Sequence, residues 1–85
     1  MVATLRVQVS EVPSEAIIHR FRNFGEDVYR ALRDRCAIDI QEIDRSTTSF
    51  AVRKIHARNV ASVSREILAL AAQHGFGSTA TVKRE

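Results

Sequence analysis

Apolar residues occupy every second position from Ala3 to Val9, and polar residues stand between them. A period of two along an extended chain puts the apolar side chains on one face, as in a β-strand with one buried side. The segment that follows, Ser10 to Ser14, holds a proline between serines. Serine caps helices and proline is tolerated in a first helical turn, so this segment predicts the start of a helix.

The first predicted helix carries an apolar stripe at steps of three and four residues. Its members are Ile17, Phe21, Phe24, Val28 and Leu32. This spacing brings them onto one face of a helix. Gly25 falls inside the stripe and costs about 1 kcal/mol relative to alanine. Because the stripe keeps its phase across Gly25, we expect one continuous helix.

Two strands are predicted in the middle of the chain. Every second residue from Cys36 to Ile40 is apolar, which indicates a second strand. Residues 47–55 are rich in threonine, phenylalanine, valine and isoleucine and indicate a third strand. There Phe50 and Val52 are expected to point into the core. The residues expected on the opposite, solvent-facing side are Ser49, Ala51 and Arg53.

A second helix and a fourth strand complete the pattern. Asn59 is the expected N-cap of a helix whose apolar stripe is centred on Ile67. Gly75 is expected to end this helix, with Phe76 making the apolar contact that accompanies a glycine after the C-cap. The last strand is expected over residues 78–84.

The order of elements is β-α-β-β-α-β, in a chain of 85 residues that is long enough for one core only. We therefore predict a single α+β domain over residues 1–85, a ferredoxin-like sandwich. Its four-stranded antiparallel sheet is expected to have the strand order 4-1-3-2, with two helices on one face. This fold leaves the function open, since it hosts many unrelated activities.

Composition limits the class of protein. The 45% hydrophobic and 27% charged residues form an ordinary globular balance. The longest apolar run, Ile67 to Ala72, is too short to span a membrane, and residues 1–10 lack the apolar core of a signal peptide. Cys36 is the only cysteine, which leaves no disulfide framework and no multi-cysteine metal site. We expect a cytoplasmic protein without membrane contact.

The chemistries common on this fold lack their residues here. The loop after the first strand has no C-x-x-C pair for a heavy metal and no glycine to cradle a phosphate or an amino acid. The outward positions of the first and third strands hold no aromatic residue on which an RNA base could stack. Cys36 is interpreted as a small core residue, and no two histidines lie at metal-ligand spacing. We therefore predict no enzymatic activity, catalytic residue, cofactor, metal site or small-molecule ligand.

Charge is distributed unevenly along a chain whose formal net charge is +3. The predicted topology gathers, at one end of the molecule, the ends of the first helix, third strand and fourth strand and the start of the second helix. The side chains expected to contact phosphates there are Arg33, Arg35, Lys54, His56, Arg58 and Lys83. The opposite end is expected to be acidic, with Glu11, Glu15, Glu42 and Asp44. Arginines at a helix C-terminus also complement its dipole, so these residues have a purely structural interpretation as well.

Two functions follow from these features, both without catalysis. The first is a small binding or regulatory module that acts through protein–protein contacts, with a homodimer as one form. Its expected contact is the edge of the second strand, at Ala37, Ile38, Asp39 and Ile40. The alternative is binding of nucleic acid, or of another polyanion, through the basic residues around the junction of the third strand and the second helix.

Overall fold

One antiparallel sheet and two helices form an α+β fold in the computed structural model of this protein. The structure describes residues 2–34, 37–39 and 48–85. The strands are β1 (Val2–Val9), β2 (Ala37–Asp39), β3 (Ser49–His56) and β4 (Ala80–Arg84). The helices are α1 (Glu15–Leu32) and α2 (Val60–Gln73), and a 3-10 turn, Ala57–Asn59, leads into α2.

The sheet is built around β1, which pairs antiparallel with β3 on one side and with β4 on the other. The strand order is β2-β3-β1-β4. The apolar positions of β1 from Ala3 to Val9 are all buried, as the period of two predicts. Ala51, predicted on the solvent-facing side of β3, is also fully buried. It pairs across the strands with Arg6, and the stem of such a long side chain covers a methyl group beside it.

The predicted ferredoxin-like sandwich, with its four-stranded antiparallel sheet, is wrong in its second strand. The extended part of the sheet has three antiparallel strands, β3, β1 and β4, with eight, eight and five residues. The described part of β2 is Ala37–Asp39, beside β3, while Cys36 and Ile40 fall outside the described residues. The alternation of apolar and polar residues indicates which way each side chain would face in a strand. It does not encode how many backbone N–H and C=O groups form hydrogen bonds with a neighbouring strand.

The core lies between the helices and one face of the sheet. The predicted stripe of α1 is confirmed, because Phe21, Phe24, Val28 and Leu32 are completely buried and Gly25 lies inside one continuous helix. α2 contributes its own buried stripe of Val63, Ile67 and Ala71. The rings of Phe21, Phe24, Phe50 and Phe76 pack against one another with centroid distances between 5.4 and 6.0 Å.

α1 begins and α2 ends where the sequence predicts. Ser14 caps α1, since its Oγ accepts a hydrogen bond of 3.2 Å from the N–H of Ile17. α2 ends at Gln73 with His74 as its C-cap, and Gly75 follows with a φ of 83°, in the left-handed region. The N–H of Phe76 donates to the carbonyl oxygen of Ala71 at 2.8 Å, and Phe76 is fully buried. The predicted glycine C-cap is confirmed.

Replacing Gly75 with alanine is expected to lower the free energy of unfolding by about 1–2 kcal/mol, because a Cβ disfavours the left-handed conformation. Gly75→Asn is expected to cost less, since asparagine tolerates this conformation better. Urea unfolding followed by circular dichroism measures both variants. Equal stability of the alanine variant and the wild type would show that this turn is not held in the left-handed conformation.

Candidate functional site

One end of the molecule collects the ends of most elements. Val2 lies opposite His56 in the β1–β3 pair, and Leu5 lies opposite Arg84 in the β1–β4 pair. α1 has 18 residues and therefore runs back for about 27 Å, a little more than the length of β1. The C-terminus of α1 and the N-terminus of α2 thus come to the same end as the last residues of β3. β4 runs towards this end and stops opposite Leu5, midway along β1.

Most of the predicted phosphate contacts are found at this end. Arg33 follows α1 as its C-cap, Lys54 and His56 end β3, and Arg58 lies in the 3-10 turn. All four side chains are exposed. We use the name basic end for the set made by these four residues with Lys83 and Arg84 of β4. Arg35 lies outside the described residues.

Among the described residues, the arginines and lysines of the basic end have no carboxylate partner, whereas Arg6 and Arg30 do. In contrast, Arg6 Nε lies 2.7 Å from Glu85 Oε1, and Arg30 Nη1 lies 3.5 Å from Asp27 Oδ1. Within the part of the chain that the structure describes, no ion pair involves Arg33, Lys54, Arg58, Lys83 or Arg84. Two acidic residues lie near this end: Glu85, which pairs with Arg6, and Asp34, which follows Arg33 and is exposed. Among the described residues, five cations of the basic end therefore carry positive charge that no ion pair offsets.

Lys54 has an unusual backbone. Its φ is 58°, in the left-handed region, where a lysine costs about 1–2 kcal/mol. The β1–β3 register shifts here, because Ala3 pairs with Ile55 while Leu5 pairs with Val52. The extra residue forms a bulge that exposes both Arg53 and Lys54 and returns Ile55 to the core. Strained residues of this kind concentrate at functional sites.

Sequence reasoning missed this bulge, although one signal was present. Ile55 is an odd number of residues from Phe50, so a regular strand would point it away from the core. An isoleucine out of phase with its strand indicates either an exposed apolar residue or a bulge before it. The complete burial of Ile55 shows that the bulge is the outcome.

His56 organises the start of the 3-10 turn. Its Nδ1 accepts a hydrogen bond of 3.3 Å from the N–H of Arg58, so only its Nε2 faces outward as a donor in this tautomer. Asn59 stands at the predicted N-cap position of α2, but its side chain makes no capping hydrogen bond. The turn before α2 continues the helical path through Asn59, and the Oγ of Ser62 donates to the Asn59 carbonyl oxygen at 3.0 Å.

The other histidines do not belong to the basic end. His74 Nε2 lies 2.6 Å from Asp27 Oδ2 and ties the end of α2 to α1. His19 is exposed near the start of α1. Among residues 2–34, 37–39 and 48–85, no group of three histidine, cysteine, aspartate or glutamate side chains is placed to hold a metal ion.

Aromatic side chains are scarce on the surface. The chain has four phenylalanines, one tyrosine and no tryptophan. All four phenylalanines are completely buried, while Tyr29 is 44% exposed. Tyr29 lies one helical turn before Arg33, whose N–H donates to the Tyr29 carbonyl oxygen at 2.9 Å. Tyr29 therefore borders the basic end, a neighbour that the analysis of the sequence did not identify.

The opposite end carries the predicted acidic residues as far as they are described. Glu11 Oε1 accepts a hydrogen bond of 2.9 Å from the Oγ1 of Thr79. Glu15 is exposed in the first turn of α1, whose dipole favours a negative charge there. Glu42 and Asp44 lie outside the described residues. The described surface thus has a basic end and a smaller acidic end, separated by the length of the strands.

The predicted pairing edge also has its place in the fold. Ala37, Ile38 and Asp39 form β2, at the outer side of β3, and Ile40 lies outside the described residues.

Neither α1 nor α2 is long and apolar enough to cross a bilayer, and the described residues contain no other helix that is. This chain matches no protein-family profile, no curated protein and no solved structure.

Proposed function

We propose that this protein is a small non-catalytic binding module and that its basic end binds the phosphate groups of a nucleic acid or a similar polyanion. One observation carries the proposal. Five exposed cations lie at one end or between it and the middle of the sheet, without a carboxylate partner among the described residues: Arg33, Lys54, Arg58, Lys83 and Arg84. A cytoplasmic location, where such partners are abundant, remains a prediction from the sequence.

Binding of this kind is mainly electrostatic. Lysine and arginine side chains that neutralise phosphates release condensed counterions, and this release drives association. The N-terminal end of α2 adds a partial positive charge close to Arg58. Phosphate contacts set the affinity and carry no information about the bases. The sheet has no exposed aromatic side chain, so we expect little preference for base sequence.

Reversing two charges of the basic end tests the proposal. Lys54→Glu combined with Arg58→Glu is expected to weaken binding to a short labelled DNA duplex by about tenfold or more, since it removes two cations and adds two anions near the phosphates. Fluorescence anisotropy at low salt measures the affinity. Circular dichroism is expected to show a native fold, because both side chains are exposed.

A matched control separates a site from the net charge. Arg22→Glu combined with Arg65→Glu makes the same change of charge at exposed positions of α1 and α2, away from the basic end. This control is expected to bind the duplex nearly as well as the wild type. An equal loss in both double variants, or no binding of the duplex by the wild type, would contradict the proposal.

Protein contact through the β2 edge is a second candidate function. It is supported by the position of β2 at one outer side of the sheet, where a strand of another chain can pair with it. The three described residues of β2 offer few backbone hydrogen bonds to such a strand. We therefore regard it as the weaker of the two proposals.

A further inference from the structure

The outer side of β4 forms the other edge of the sheet, and no strand of the described residues covers it. Two hydrogen bonds fix which backbone groups of this region face β1. The N–H of Glu85 donates to the Thr4 carbonyl oxygen at 2.9 Å, and the N–H of Ser10 donates to the Thr79 carbonyl oxygen at 3.1 Å. In an antiparallel pair the backbone groups of alternate residues face the partner strand. Those of Ala80, Val82 and Arg84 therefore point outward.

We propose that two copies of this chain associate through the outer edges of their β4 strands, antiparallel and centred on Val82. In this register Val82 of each copy exchanges both backbone hydrogen bonds with Val82 of the other copy. The N–H of Arg84 donates to the Ala80 carbonyl oxygen of the second copy. The Ala80 N–H is excluded, because it already donates to the Phe76 carbonyl oxygen at 2.9 Å. The interface thus gains about four hydrogen bonds between the chains.

This register keeps like charges apart across directly paired positions. Lys83 comes opposite Thr81 of the second copy, and Arg84 comes opposite Ala80. A register centred on Lys83 would instead put two lysines directly opposite each other, which destabilises a strand pair. It would also pair backbone groups that already face β1. The free backbone groups and the charges of β4 therefore both favour the register centred on Val82.

Charge complementarity indicates that the strand paired with the outer edge of β4 belongs to a second copy of this chain. Antiparallel pairing turns the basic end of one copy towards the acidic end of the other. Thr79 holds the Glu11 carboxylate at the N-terminal end of β4. Lys83 of the second copy comes diagonally across from Thr79, within reach of a long side chain. Lys83 has no ion-pair partner among the described residues of its own chain, and Glu11 of the second copy offers one.

α2 provides an apolar contact beside the paired strands. α2 packs against β4, and its residues Leu70 and His74 face α1. Helical geometry puts Leu68 on the opposite flank, above the β4 edge. Leu68 is 40% exposed in the single chain. A two-fold axis through Val82 brings both copies of this residue to the same side of the joint sheet, where their apolar surface is removed from water.

Sedimentation equilibrium over a wide range of concentration tests this association, which does not depend on anion binding. The wild type is expected to form dimers. Val82→Pro removes the N–H at the centre of the register, and this N–H points away from β1, so the fold is expected to persist. The dimer dissociation constant is expected to rise about tenfold or more.

If Val82→Pro unfolds, a second pair of variants tests the same dimer interface. Leu68→Lys is expected to weaken the dimer, since it places two cations beside the two-fold axis. Tyr29→Lys, at a comparably exposed position on α1, is expected to leave the dimer unchanged. A wild type that is monomeric at every concentration overturns the proposal. A dimer that survives both Leu68→Lys and a folded Val82→Pro overturns it as well and indicates another interface, such as the β2 edge.

Discussion

Replacing Phe21 with alanine is expected to lower the free energy of unfolding by about 3–5 kcal/mol. The Phe21 ring is completely buried, and its centroid lies 5.4 Å from that of Phe50 and 5.9 Å from that of Phe76. Its loss leaves a cavity where α1, β3 and the turn after α2 meet. A domain of this size is stabilised by only about 5–15 kcal/mol, so the variant is expected to lose a large share of its stability.

Urea unfolding followed by circular dichroism measures this effect, and Tyr29→Ala is its control. Tyr29 is an aromatic residue on the same helix, but it is 44% exposed and lies outside the phenylalanine cluster. We expect this variant to lose about 1 kcal/mol or less. Similar losses in the two variants would show that Phe21 does not stand at the centre of the core.

Features that depend on a local period or on one residue type could be predicted from the sequence. The stripe of α1 follows from its spacing alone, because only one helical face has enough apolar surface to be buried. Gly75 could be assigned as a C-cap because glycine adopts a positive φ without steric cost. The end of the molecule that gathers Lys54 and Arg58 follows from the order of the elements.

Features that depend on pairing between distant segments could not be predicted. The pairing of Arg6 with Glu85 requires the register of β1 against β4, which the sequence of neither strand encodes. The pairing of Ala37–Asp39 with β3 likewise depends on the register between two separate segments. A 3-10 turn precedes α2, and the side chain of His56 caps this turn by accepting a hydrogen bond from the N–H of Arg58. Propensity alone favours asparagine at that point.

The two proposals are geometrically compatible. Antiparallel pairing of two β4 strands puts the basic ends at opposite ends of the joint sheet. Arg33, Lys54 and Arg58 of each copy lie on elements other than β4, so pairing leaves them exposed. Such a dimer presents two separate phosphate-binding ends to one long polyanion. Bivalent binding raises the apparent affinity when the polyanion is long enough to reach both.

The affinity for a short duplex is expected to fall about 100-fold when the salt concentration rises from about 50 to about 200 mM. The basic end has five unpaired cations among the described residues, and we expect about four of them to contact phosphates at once. Each phosphate contact contributes about 0.9 to the slope of log affinity against log salt, which gives a slope of about −3.6. A duplex too short to bridge two basic ends keeps bivalent binding out of this measurement.

Neutral variants identify the residues behind the slope. Lys54→Gln combined with Arg58→Gln is expected to make the slope less steep by about two, because two phosphate contacts are lost. Arg22→Gln combined with Arg65→Gln is expected to leave the slope unchanged, since these arginines lie on the helices away from the basic end. Anisotropy titrations at four salt concentrations give each slope. Binding that is insensitive to salt, or a slope that changes equally in both double variants, would mean that the basic end is not the phosphate-binding surface.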